Sequence, residues 1–174
     1  MRSTSRLLLL LTLGLSLSAC SPNYNWRESS DNDAHFTILL PAKPASIARN
    51  IDLDGIKVDM IMTAAEVDGI SFAVGTAELP SPEQAVAALK SMQTALLKNI
   101  DGTARPDAML PGKTENTSAR LDLEARGMAR GQPLRLTARL LAKDRRVYQV
   151  IMLGPEKAFR DENVETFFSS FKPM

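Results

Sequence analysis

Two Asp-Gly pairs, Asp54-Gly55 and Asp68-Gly69, each lie between runs in which apolar and polar residues alternate. Such a pair suits the positive φ of both central residues of a type I′ turn, so each marks a tight β-hairpin. Ile47, Ile51 and Leu53 share one side of the first incoming strand, and Ile56, Val58, Met60 and Met62 one side of its return. After the second turn, Ile70, Phe72 and Val74 face one way and Ser71, Ala73 and Gly75 the other. Side chains alternate across a strand, so this pattern predicts an antiparallel meander with one buried face. A short strand, Phe36 to Leu40, precedes it and is stopped by Pro41 and Pro44, which cannot donate to a ladder.

The period then changes. Ser81 followed by Pro82 and Gln84 reads as a helix start with a capping box. Val86, Leu89, Met92, Leu96, Leu97 and Ile100 recur at helical spacing, and Asp101-Gly102 ends the run. Thr103 to Thr117 reads as a long irregular connection, the kind of segment in which a partner site is sought. Three more alternating runs follow, about Ser118 to Met128, Leu134 to Ala142 and Arg146 to Leu153, with turns at Gly131-Gln132 and Asp144-Arg145. Beyond Gly154-Pro155 a last helix is predicted, with Asp161 as cap and Val164, Phe167, Phe168 and Phe171 on one stripe. Strands, helix, strands, helix argue for an α+β fold, an antiparallel β-sheet flanked by helices.

The N-terminus has a different character. Arg2 and Arg6 precede the apolar run Leu7 to Ala19, which has the form of a secretory signal peptide. The run is shorter than the roughly 20 residues a spanning helix needs. Leu17-Ser18-Ala19-Cys20 resembles the lipobox of bacterial lipoproteins, and Cys20 is the single cysteine of the 174 residues. The resemblance implies cleavage before Cys20 and acyl chains on that residue, hence attachment to a membrane of the bacterial cell envelope, facing the periplasm. Ser21 after the cysteine implies the outer membrane. Two or more chains hold a protein stably at a bilayer. Residues 21–34 are polar and without period, and read as a flexible tether with an r.m.s. span of about 20 Å. Tyr24 and Trp26, its large apolar groups, have two placements open, docked back on the domain or at the membrane interface, and the nearby lipid favours the interface.

FTILLPAKP at the start of the domain, and RRVYQVIMLGP and FFSSFKP near its end, resemble the ends of PsbP-like and DcrB-like domains. The matching residues are Phe36, Pro41, Pro44, Tyr148, Gly154, Pro155, Phe167, Phe168, Ser170 and Phe171. The resemblance implies a PsbP-like α/β/α sandwich and a role in binding, and it carries no catalytic residue over. The expected organisation is therefore a lipoprotein signal peptide over 1–19, a lipidated cysteine and tether over 20–34, and a PsbP-like/DcrB-like domain over 35–174.

Chemistry-bearing patterns are few. The chain has 21 basic and 20 acidic residues, and loss of residues 1–19 leaves 19 against 20. That balance gives no general attraction to nucleic acid. His35 is the sole histidine, which makes a poor zinc site without cysteine partners and leaves little for a Ser-His-acid relay. Asp52-Leu53-Asp54-Gly55 resembles the start of a calcium loop, but Thr63 stands where the closing glutamate belongs. Met60 and Met62 fall on the buried alternation and read as core. Arg126, Arg135 and Arg139 lie opposite the leucines of their strands and form a candidate anion-binding face, set against a solvated or helix-covered sheet face with Arg–acid pairs. The expected protein is a non-catalytic interaction module without cofactor or metal, held at the membrane through Cys20 and bound to another envelope protein. A small-ligand or lipid-binding lipoprotein, with a pocket between sheet and helix, is the alternative, and a hydrolase the third reading.

Overall fold

The computed structural model describes residues 23–31, 33–105, 110 and 118–174. The Leu17-Ser18-Ala19-Cys20 tetrad read as a lipobox, and most of the connection after Arg105, lie outside the described residues.

The first departure from expectation is at the N-terminus. β1 (Arg27–Asp31) lies inside the stretch read as a tether and pairs antiparallel with β2 (Phe36–Leu40). Asn25 N–H also donates to the Pro41 carbonyl at 2.8 Å, and the Asn23 amide to Asp68 at 3.1 Å. The folded unit thus begins by Asn23 rather than at His35. The backbone groups of β2 decide this, because a strand can find partners on both sides. β10 (Lys172–Pro173) takes its other edge, completing a small sheet ordered β1-β2-β10.

Among the described residues the large sheet has seven strands, all antiparallel. β3 (Ala45–Leu53), β4 (Ile56–Val67) and β5 (Ile70–Glu78) form the meander, with turns at Asp54-Gly55 and Asp68-Gly69 as expected. α1 (Pro82–Asn99) then carries the chain across to the far edge, β6 (Thr103–Arg105). β7 (Ala119–Ala129), β8 (Gln132–Lys143) and β9 (Arg146–Pro155) return toward the centre, giving the order β3-β4-β5-β9-β8-β7-β6. The β7–β8 turn is Arg130-Gly131, one residue earlier than expected, with φ of 49° and 76°. A 3₁₀ turn (Glu156–Ala158) leads to α2 (Asp161–Ser170). Arg160 is the N-cap of α2; Asp161 is its first helical residue, where negative charge favours the positive end of the helix dipole.

The sheet is covered on both sides, not one. α1 lays Ala85, Ala88, Leu89, Met92 and Leu96 on Leu123, Leu136 and Leu140. On the opposite face, α2 and the small sheet bring Phe167, Phe168, Phe171, Phe36 and Ile38 against Phe72, Val74, Tyr148 and Val150. A doubly covered sheet needs central strands apolar on both faces, and β5 shows it: Phe72 and Val74 serve one core, Ala73 and Ala77 the other. Gly75, directly opposite Met62, makes room for the paired methionines; a Cβ there would come within 2.5 Å of Met62 Sδ and 3.1 Å of Met60 Sδ. Mixed α+β, antiparallel and dominated by sheet is the observed class.

Candidate functional site

The arginine-rich face is where alternation puts it, on the side of β7 and β8 away from α1, and its three arginines differ sharply in exposure. Register sets Asp122 opposite Arg139 and Arg126 opposite Arg135. Arg139 is only 1% exposed. Its Nε donates to Asp122 Oδ1 at 3.1 Å, Nη1 to the Phe168 carbonyl at 3.0 Å and Nη2 to the Leu110 carbonyl at 2.7 Å. Asp122 also receives Arg120 and, at 3.0 Å, the Leu110 N–H. Burial pushes the Asp122 carboxyl up, but the bonds from Arg120, Leu110 and Arg139 together hold it below the ordinary aspartate value. Arg135 lies 3.3 Å from Glu124 and stacks 4.9 Å over Phe159, while Arg126 reaches Glu156 at 2.6 Å. The two arginines that face each other across the ladder are thus drawn to different carboxylates. Of the candidate anion-binding face, Arg139 is buried against α2, where a guanidinium must be paired, while the Arg126 side chain stays 60% exposed at the surface.

A different site takes shape at the N-terminal segment. Tyr24 and Trp26 stack on each other at 5.9 Å and each meets the Phe72 ring edge-on, at 6.0 and 5.8 Å. Both therefore dock on the domain, because Phe72 offers them an aromatic surface. With the β4–β5 turn and the start of α2 they wall an open cleft of about 770 Å³. Asp68 enters from the turn, and Lys157, Arg160, Glu162 and Asn163 from the opposite side. Asn163 is 7% exposed. The Tyr24 hydroxyl is buried and lacks a well-aligned hydrogen bond. Burial and then the Asp68 carboxylate raise its pKa, against smaller lowering by the Asn163 amide and Arg160. Arg160 Nη1 is fixed by the Lys157 and Phe159 carbonyls, both at 3.2 Å. Among the described residues neither Arg160 nor Lys157 has a carboxylate partner. Spacing could not reveal this cleft, since its walls come from residues more than a hundred positions apart.

The remaining candidates resolve simply. His35 is an exposed turn residue at φ 58° whose carbonyl, not its ring, is engaged: Tyr148 Oη and Met174 N–H both donate to it at 2.9 Å. Asp52 Oδ1 accepts from Gly55 N–H, so the calcium-like tetrad is a hairpin turn. Between α1 and the sheet lies a packed apolar core. Among the described residues no helix is long and apolar enough to cross a membrane, and no three metal-ligating side chains cluster. Compared with known proteins, the chain matches no family model and no curated sequence.

Proposed function

We propose that this chain is an envelope lipoprotein, acylated at Cys20, whose PsbP-like or DcrB-like domain is a non-catalytic module that binds another protein by strand addition. The observation that carries the reading is β3. Among the described residues it is a sheet edge nine residues long, and Ala45 to Asn50 are all exposed. Its ladder with β4 runs without a bulge from Ala45↔Ala64 to Leu53↔Ile56. It holds neither proline nor lysine, two of the devices that blunt edges against pairing.

The hairpin identifies the groups on offer. A two-residue turn closes on a hydrogen-bonded pair, here Leu53 and Ile56, so every second residue back from Leu53 bonds to β4. Ser46, Ala48, Asn50 and Asp52 then turn their N–H and C=O outward. Side-chain bonds from Ser46 to Thr63 and from Asn50 to Asp59 agree, because side chains approach more closely in the non-hydrogen-bonded pairs. An extended partner segment can pair with such an edge through main-chain bonds.

Ala48→Pro removes one outward donor while leaving every β3–β4 bond in place, and proline is tolerated on an edge in that orientation. Native mass spectrometry of the protein extracted gently from its own envelope should show acyl mass on Cys20 and a second polypeptide, with the polypeptide lost in Ala48→Pro at unchanged circular dichroism. A polypeptide retained by the proline variant, or none in the wild type, would overturn strand addition; an unmodified Cys20 would overturn the anchor.

A further inference from the structure

We propose that the Tyr24–Trp26 cleft holds the headgroup of a zwitterionic phospholipid, its phosphate against Lys157 and Arg160 and its ammonium against Asp68 and Glu162. Four charged side chains, two of each sign, line one open cleft. An anion alone would meet the two acids, and a cation alone the two bases. A phosphoethanolamine group, with both charges a few ångströms apart, complements the set. Arg160 is anchored by backbone carbonyls through Nη1, which presents its other donors as a fork suited to phosphate oxygens. The buried Tyr24 hydroxyl and the Asn163 amide add uncharged hydrogen-bonding groups beside the charges. Tyr24 and Trp26 supply the amphipathic rings favoured at headgroup depth.

Chain length puts the cleft where such a headgroup is. Tyr24 is four residues from Cys20, at most about 14 Å along an extended chain. Because Tyr24 and Trp26 are docked, that short span, and not a 14-residue tether, separates an acylated Cys20 from the folded unit. The membrane-facing part of the inference rests on the acylation proposed above; the headgroup chemistry does not.

Trp26 is the sole tryptophan of the chain and a reporter inside the cleft. The full chain is titrated with glycerophosphoethanolamine, glycerol 3-phosphate and ethanolamine while Trp26 emission is followed. A saturable change is expected with the first, weaker by about tenfold or more for each half-molecule, and weakened about tenfold by Arg160→Gln or by Glu162→Gln. No saturable change with any probe, or an equal response to glycerol 3-phosphate alone, overturns the assignment. A second arm inserts the acylated protein into phosphatidylglycerol vesicles with and without phosphatidylethanolamine. The same Trp26 change should appear only with phosphatidylethanolamine. A response to the soluble headgroup but not to the vesicle lipid would overturn the lipid as its source. Failure of acylation would leave the soluble arm intact, so the two readings fail separately.

Discussion

Asp122 is 3% exposed in its side chain and takes bonds from two arginines and one backbone N–H, so its charge is both buried and fully engaged. Its folded pKa lies below the ordinary value of 3.8. A depressed carboxylate stabilises the fold above its unfolded pKa, and this contribution is lost as pH falls through the folded value. Urea unfolding should therefore show stability declining below about pH 4. Asp122→Asn leaves Arg139 buried without its counter-charge and should cost about 3 kcal/mol at pH 7. The gap between variant and wild type should narrow at the acid end, and a pH-independent gap would count against the assignment. At this scale the sequence was half legible. Alternation put Arg139 opposite the leucines, but its burial depends on α2 and on Leu110, which no local pattern connects to it.

Among the elements, α1 separates periodicity from packing. Ser81 Oγ accepts from Gln84 N–H at 3.3 Å, as the start motif anticipates. The apolar stripe holds at Leu89, Met92, Leu96 and Ile100 but shifts at its start, where Val86 is 40% exposed while Ala85 and Ala88 are buried. Alanine carries little hydrophobic signal, yet close approach to β8 and β9 favours a small residue. Leu89→Ala should therefore cost about 3 kcal/mol, from lost burial and a cavity against Leu123 and Leu136. Val86→Ala should stay within about 0.5 kcal/mol, since an exposed site loses little and alanine favours helix. Denaturant midpoints of the two variants compare them directly, and similar losses would mean that Val86 is packed. The strands were more legible than the helix face because Asp-Gly turns set their register, whereas a helix can rotate its stripe by a residue without changing its bounds. β1 was missed because RESSD has no alternation; its pairing is dictated by the open edge of β2, a tertiary cause.

For the molecule as a whole, the question is whether the N-terminal segment folds with the domain. The aromatic chain from Trp26 through Phe72 to Phe167 and Phe168 joins the segment, the central sheet and α2, with ring centroids 5.2–5.8 Å apart. β1 adds a ladder to β2, and β2 is held in turn by β10 and by the Ser170 hydroxyl on Leu39 N–H. These links make the segment part of one cooperative unit, as single domains of this size usually are. Trp26 emission should then change at the same urea midpoint as far-ultraviolet circular dichroism. A loose tether would instead lose its Trp26 signal early, at low denaturant, while the sheet stayed intact. Trp26→Phe keeps an aromatic contact with Phe72 and should lower the dichroism midpoint less than Trp26→Ala, which removes it. Coincident transitions together with that ordering would make the docked segment a structural joint between anchor and sheet. With Cys20 acylated as proposed, a domain so joined would move with that residue, which would limit the range over which β3 could meet a partner and keep the Tyr24–Trp26 cleft near the membrane surface.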